Sequence, residues 1–244
     1  MKAADKNKPI ITSNYQDAAT SYAMRGITGT DAIAFRALAE RITSLKLSGV
    51  ALDLGCGAGR STRFLKALGL QPVGLEVSEA MVTEARRLDP TGEYFTYRAH
   101  KALPFAHASF DVLLSTWVVL EIGSRSNLDT FFSQAARVLR HGGKGFIVTN
   151  TAAFYHHKWV SCDVDFPENQ GPLQSGQRVK ARLMPENVVV TDTFWSDEVY
   201  REALGHGGLT VIHAWHPLAP ASETAWLDET RIAPWVIYEV DKAS

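Results

Sequence analysis

A seven-residue loop in the first quarter of the chain could hold a ligand against the main chain: Asp53-Leu54-Gly55-Cys56-Gly57-Ala58-Gly59, called the glycine loop below. The apolar run Val50–Leu54 predicts a buried strand before it, and Ser61–Leu68 predicts a helix after it. Glycines at this turn remove the Cβ atoms that would keep a ligand from the backbone. The loop therefore predicts a binding site, with contacts from Gly55, Cys56, Gly57 and Arg60.

A second acid stands at the end of the next predicted strand, Pro72–Glu76. Glu76 lies roughly 20 residues beyond the loop, the spacing at which nucleotide-binding folds place a ribose ligand. Its carboxylate could accept both ribose hydroxyls, and Val77 and Met81 could contact an adenine ring. These residues extend the predicted site toward the helix that Ser78 is expected to cap.

Two cofactor classes compete for the glycine loop. Dinucleotide-binding proteins use a G-x-G-x-x-G spacing and seat a pyrophosphate at the helix N-terminus. Here the glycines are more closely spaced, and Asp53 ends the preceding strand, where we expect its carboxylate to face the crevice. A carboxylate there would repel a pyrophosphate but suits an aminoacyl ammonium group, so both features favour S-adenosylmethionine (SAM).

Several segments together resemble the class I SAM-dependent methyltransferases of the small-molecule type. Val50–Arg60 resembles the first motif of that family, and Glu76 resembles the acid that holds the ribose. The Leu103-Pro104-Phe105 segment, followed by Ser109–Val112, is similar to the stretch before the fourth strand, and Leu139–Gly143 resembles the turn before the fifth. The resemblance covers about residues 45–150 and implies SAM as the cofactor.

The chain departs from this family pattern at the adenine pocket. The family often has an aspartate just before the Leu-Pro-Phe segment, where this chain has Ala99 followed by His100. Adenine recognition is therefore expected to use His100 or backbone groups. The resemblance also implies that an N-terminal helix folds over SAM, which would place Tyr22 at the pocket, although packing explains this tyrosine equally well.

The resemblance further implies that the substrate lies over the ends of the fourth and fifth strands, Phe110–Ser115 and Gly145–Thr149. Trp117 could meet the sulfonium through a cation–π contact, or it could be a core residue. Glu121 could act as a general base or bind an amine, or it could be an exposed carboxylate at a helix start.

The residues after the fifth strand supply the other catalytic candidates: Asn150, Tyr155 and His156. A histidine there could accept a proton because its pKa lies near neutrality. At most one of the adjacent His156 and His157 is expected to face the site. Metal binding is not expected, since these histidines lack the i, i+4 spacing of a zinc site and no paired cysteines accompany them.

Strands that alternate with helices predict a doubly wound, Rossmann-like α/β fold, with a mostly parallel sheet, a late antiparallel strand and helices on both faces. Residues 1–48 are expected to form an N-terminal helical cap that is interrupted near Gly26–Gly29. Residues 49–244 are expected to form the SAM-binding domain, with a lid-like insertion at about 151–195 that contains strands at Arg178–Leu183 and Val188–Phe194. Two later strands are predicted at Leu209–Trp215 and Trp235–Val240.

The composition of the chain limits the classes of binding partner that we expect. The 244 residues carry a formal net charge of -1, so no basic field for nucleic acid or an anionic membrane is expected. No apolar run reaches about 18 residues. Two cysteines fit a reducing compartment, and a cytoplasmic enzyme with a small-molecule substrate is expected. The sequence leaves the oligomeric state open.

Three functions remain open on sequence alone. The first is N- or O-methylation of a small molecule, such as a secondary metabolite. The second keeps the fold and cofactor but has the SAM amine attack its own γ-carbon, giving azetidine-2-carboxylate and methylthioadenosine. The third is a non-catalytic SAM-binding subunit.

Overall fold

The computed structural model describes residues 15–99, 101–223 and 225–243, with the backbone alone for 15–18. Its α-helices are α1 (Tyr15–Ala23), α2 (Gly29–Ser44), α3 (Arg60–Ala67), α4 (Glu79–Leu88), α5 (Arg125–Val138) and α6 (Asp197–His206). Its strands are β1 (Val50–Leu54), β2 (Gln71–Glu76), β3 (Glu93–Thr96), β4 (Phe110–Thr116), β5 (Leu139–Asn150), β6 (Cys162–Asp163), β7 (Arg178–Leu183), β8 (Val188–Thr193), β9 (Leu209–Trp215) and β10 (Trp235–Lys242).

Seven of these strands form the main sheet in the order β3-β2-β1-β4-β5-β10-β9. β10 runs antiparallel to both of its neighbours, whereas β1 to β5 pair in parallel. The predicted Rossmann-like sheet with one late antiparallel strand is confirmed. The strand order reverses between β1 and β4, and ligands of such sheets bind beyond the carboxyl ends of the strands at that point.

Side chains alternate between the two faces of the sheet, as the pleat of a strand requires. On β4, Val112 and Leu114 face the core that contains Phe35 of α2, whereas Leu113 faces the core that contains Phe132 of α5. Both faces of the sheet are therefore covered by helices. This double burial explains why the central strands read as continuous apolar runs in the sequence.

β6, β7 and β8 form a second, antiparallel sheet, called the small sheet below. Its inward residues Val179, Ala181 and Val190 pack against Phe154 and Tyr155, which follow β5. α1 lies on α4 and also contacts β8. The small sheet and α1 thus stand over the carboxyl end of the main sheet.

The start of α5 follows from its cap: the Ser124 hydroxyl accepts a hydrogen bond from the Asn127 N–H, and the helix begins at Arg125. One strand boundary differs from the sequence expectation. β5 begins at Leu139 rather than Gly145, because the chain continues to pair with β4 through a register shift at the glycine turn. In the part of the chain that the structure describes, no helix is long and apolar enough to cross a membrane.

Candidate active site

The glycine loop folds back against β2. The N–H groups of Gly55 and Cys56 both donate to the Leu75 carbonyl, at 2.7 and 3.1 Å. Gly55 has φ +82°, and a Cβ added there would collide with Val118. Gly57 has φ +51°, and a Cβ there would meet only the Tyr22 ring, at 3.6 Å. The loop backbone is therefore accessible on the side that faces α1, where a ligand can approach it closely.

Glu76 is held beside this loop by three backbone donors. Its Oε2 accepts from the Gly57 N–H at 3.0 Å, and its Oε1 accepts from Val77 and Ser78 at 2.8 and 3.0 Å. Burial raises the pKa of Glu76, and the three N–H groups oppose that rise. The carboxylate is thus fixed in place, and Oε2, which accepts only one hydrogen bond, keeps a lone-pair direction for a hydroxyl donor.

Asp53 is fully buried under the loop. Its Oδ2 accepts from the hydroxyls of Ser61 and Thr62 at 2.7 and 2.6 Å, and its Oδ1 has no hydrogen-bond partner among the described residues. Burial raises its pKa to about 6, against the effect of the two hydroxyls. The carboxylate is therefore enclosed by the fold and does not face an open crevice as expected.

The other residues predicted to contact the cofactor near the loop lie in different environments. The Cys56 side chain is buried in the core beside Val82 and Tyr94, so only its backbone can face a ligand. Met81 is buried beneath α1. Val77 is half-buried and holds Glu76 through its N–H. His100 lies outside the described residues.

Trp117 adopts a left-handed backbone conformation, with φ +57°, immediately after β4. Such conformations are costly for a residue other than glycine and cluster at functional sites. Its ring packs against Trp235, at 5.1 Å between centroids, and its indole N–H is buried with no partner in the described chain. The Arg60 guanidinium lies 5.4 Å from the ring centroid, so the predicted cation–π face is covered by a cation of the protein itself.

A buried ion network connects the cap to the glycine loop and the small sheet. Asp31 accepts hydrogen bonds from Arg60 at 2.6 Å and from both Nε and Nη2 of Arg25, at 2.8 and 3.0 Å. Arg25 also donates to Glu186, in the turn between β7 and β8, at 2.8 Å. Burial pushes the pKa of Asp31 upward, but the charges of Arg60 and Arg25 outweigh it, and the pKa ends below its ordinary value.

A cavity of about 50 Å³, called the central cavity below, lies among these groups. That volume holds a few water molecules. Its walls come from the cap (Tyr22, Arg25, Asp31), the loop and main sheet (Arg60, Trp117, Asn150, Trp235) and the small sheet (Ala181, Val190, Asp192). The structure thus brings four predicted site residues, Tyr22, Arg60, Trp117 and Asn150, to one enclosure.

Asn150 and Tyr155 meet a buried acid that the sequence interpretation missed. The Asn150 amide donates to the Tyr155 hydroxyl at 2.9 Å, and that hydroxyl donates to Asp192 Oδ2 at 3.0 Å. Burial raises the pKa of Asp192 to about 7, against the Tyr155 hydrogen bond and the charge of Arg178. Burial and Asp192 also hold the pKa of Tyr155 well above its ordinary value, so Tyr155 acts as a hydrogen-bond donor to Asp192.

The alternation of buried and more exposed residues along β8 indicates that Asp192 is unusual. Val190 and Asp192 occupy the buried face of this strand, while Val189 and Thr191 lie on its other face. A carboxylate on the apolar face of an alternating strand is uncommon because burying it without a partner is costly. That pattern could have singled out Asp192 from the sequence.

The structure places the last two catalytic candidates differently from the expectation. Glu121 is buried rather than exposed, and it adds to the effect of burial in raising the pKa of Tyr22. His156 is exposed and lies on an outer groove beside His157 and Asp163. Its ring is outside the central cavity, so the geometry does not support the predicted role of His156 as a base.

Comparison with known proteins matches residues 52–147 to a family described as a methyltransferase domain. The demethylmenaquinone methyltransferase of Tropheryma whipplei (strain Twist) is 35% identical over 94 residues, which is 38% of this chain and 38% of that protein. The malonyl-[acyl-carrier protein] O-methyltransferase of Erwinia billingiae is 28% identical over 192 residues, which is 75% of this chain and 74% of that protein.

Solved structures show the same fold. A SAM-dependent methyltransferase from Mesorhizobium loti has a TM-score of 0.62 at 17% identity, covering 83% of this chain and 96% of that one. Another from Clostridium acetobutylicum has a TM-score of 0.61 at 15% identity, covering 87% and 91%.

Proposed function

Because residues 52–147 form a class I SAM-dependent methyltransferase domain, we propose that this chain transfers the methyl group of SAM to a small molecule held in the central cavity. One observation carries the proposal. The central cavity is lined by Arg60 and Trp117, which lie next to the glycine loop, and also by the polar pair Asn150 and Asp192. A methyl donor on the loop and an acceptor on that pair would share one enclosure.

The residues around the glycine loop fit SAM. The open backbone face at Gly57 would receive the nucleoside, and Glu76 would accept a ribose hydroxyl through the remaining lone pair of Oε2. The unpartnered Oδ1 of Asp53 would accept from the ammonium group. Bound SAM supplies a methyl group on a sulfonium that is already a good leaving group.

The protein's part is then to orient the acceptor and exclude water. The aromatic rings of Trp117, Phe154 and Trp235 pack together into an apolar wall at the end of the main sheet. Ligand pockets measure about 300–1,000 Å³, so the cavity of about 50 Å³ must widen when ligands bind.

We further propose O- or N-methylation of a secondary metabolite as the specific reaction. The Erwinia relative and a Mesorhizobium japonicum relative, 33% identical over 101 residues, are both named O-methyltransferases, which favours oxygen as the acceptor atom. The aromatic walls favour an apolar or aromatic body. The buried, unpaired Cys56 and Cys162 fit a reducing, cytoplasmic setting.

A product assay tests this function. The protein would be incubated with SAM, alone and with a panel of small phenols and amines, and the nucleosides identified by mass spectrometry. We expect S-adenosylhomocysteine to form only when an acceptor is present. Methylthioadenosine formed from SAM alone would contradict methyl transfer and indicate the intramolecular cyclisation instead.

A further inference from the structure

Two buried acceptor atoms of the central cavity have no hydrogen-bond partner in the described chain. They are Oδ1 of Asp192 and Oδ1 of Asn150. Asp192 is 1% exposed and Asn150 is 9% exposed, and both line the cavity. A buried polar atom without a hydrogen-bond partner destabilises the fold, so we expect these two atoms to bind a ligand or to serve another function.

The orientation of both side chains is fixed by Tyr155. Its hydroxyl accepts from the Asn150 amide, so its own hydrogen must go to Asp192 Oδ2. This chain of bonds occupies the amide nitrogen of Asn150 and one oxygen of Asp192. The atoms left over for a ligand are therefore both acceptors, and the remaining lining near them is apolar: Phe154, Ala181, Val190 and Trp235.

We propose that Asp192 and Asn150 form the acceptor subsite, which takes a small apolar compound through a hydroxyl or amino group that donates to both Oδ1 atoms. This inference rests on the proposed methyl transfer and deepens it. A substrate carboxylate is disfavoured, because it has no hydrogen to donate and would face the Asp192 carboxyl. The two cavity arginines, Arg25 and Arg60, already bind Asp31, and the cavity donor left without a partner among the described residues, the Trp117 indole N–H, is uncharged.

The geometry also gives the transferred proton a destination. When a hydroxyl acceptor is methylated, its oxygen forms the bond to the methyl carbon, the carbon–sulfur bond breaks, and that electron pair stays on sulfur as S-adenosylhomocysteine forms. The hydroxyl proton passes to Oδ1 of Asp192. Tyr155 is a positioning residue, because it holds the other oxygen of the same carboxyl group.

Binding of matched probes tests the subsite without requiring turnover. The dissociation constants of 4-ethylphenol, 4-ethylaniline, 4-ethylanisole and 4-ethylbenzoate would be measured by NMR titration with S-adenosylhomocysteine at saturation. We expect the phenol or the aniline to bind at least about tenfold more tightly than the ether and the benzoate, the size of one charge-assisted hydrogen bond. The phenol and aniline arms distinguish a hydroxyl from an amine.

Asp192→Asn sharpens the test. Tyr155 would bind the amide oxygen, which turns the amide nitrogen, a donor, toward the cavity. We expect this variant to lose the preference for donor probes and to favour the ether or the benzoate. The control Asp163→Asn alters an exposed carboxylate of the same small sheet and should keep the wild-type preference.

The possible outcomes distinguish failure of the acceptor subsite from failure of the proposed function. Wild-type protein that binds S-adenosylhomocysteine but binds the phenol, the aniline and the ether equally, or binds none of them, would overturn the acceptor subsite alone. Failure of wild-type protein to bind SAM would overturn the proposed function. The wild-type preferences decide the matter even if Asp192→Asn does not fold.

Discussion

At the scale of single residues, the site depends on carboxyl groups whose surroundings differ. Glu76 is held by three backbone donors, Asp31 by two guanidinium groups, and Asp53 and Asp192 each keep one oxygen without a partner in the described residues. Asp31 is stabilised as an anion, because its guanidinium partners outweigh the effect of burial on its pKa. Glu76, Asp53 and Asp192 have raised pKa values, because burial penalises their charge.

The raised pKa of Asp192 predicts how stability changes with pH. Its folded pKa of about 7 lies above the value of about 3.9 for an unfolded aspartate, so the folded state holds the proton more tightly. The stabilisation from this proton is complete below about pH 4 and is lost as the pH rises to about 7. Asp192→Asn should therefore gain stability relative to wild type over that window, on the order of a few kcal/mol, as measured by urea unfolding.

The comparison of two pH values supplies the control for this prediction. At pH 4 both proteins carry a neutral group at residue 192, so any difference in the free energy of unfolding there reports packing alone. A stability difference that stays constant from pH 4 to pH 8 would mean that Asp192 is not the buried titrating group described here.

At the scale of elements, the buried network of Asp31 ties three separate parts of the chain together. Arg25 follows α1, Arg60 begins α3, and Glu186 lies between β7 and β8. The side chains of Arg25 and Asp31 are each 5% exposed, so the charges are removed from water. The network therefore holds the cap and the small sheet over the site, and it does so only when all of its charged groups are present.

Asp31→Asn should destabilise the protein by about 3 kcal/mol or more, because it leaves two largely buried guanidinium groups with no carboxylate between them. The free energy of unfolding in urea measures this loss. Asp129→Asn is the matched control, since Asp129 pairs with Arg125 on the surface of α5. That change should cost less than about 1 kcal/mol, and equal losses in the two variants would contradict the network.

At the scale of the whole molecule, the sequence predicts the sheet and the loop far better than the cavity. The resemblance to class I methyltransferases is confirmed. It could be recognised from the sequence because Val50–Arg60 and Glu76 are local patterns whose structural context is also local. Asp192 was missed, and His156 was favoured over it, since the position of each depends on how residues 151–193 pack on the main sheet. Sequence neighbours could not reveal that Tyr155 bonds Asp192 from 37 positions away.

The cap shows the same limit. The sequence placed Tyr22 at the pocket and interrupted the helices near Gly26–Gly29, as the structure does between α1 and α2. It did not predict that Arg25 and Asp31, which flank the interruption, would be buried together. Two charged residues in a polar segment read as surface groups until tertiary contacts bring Arg60 and Glu186 to them.

The central claim is that SAM binds on the glycine loop with its ribose on Glu76, and calorimetry tests it most directly. SAM would be titrated into wild-type protein, Glu76→Gln and the control Glu79→Gln, an exposed glutamate at the start of α4. We expect one SAM site in wild type and in Glu79→Gln, with affinity reduced at least tenfold in Glu76→Gln because a charged acceptor for a ribose hydroxyl is lost. Equal SAM affinity in all three proteins, or no SAM binding by wild type, would contradict the site.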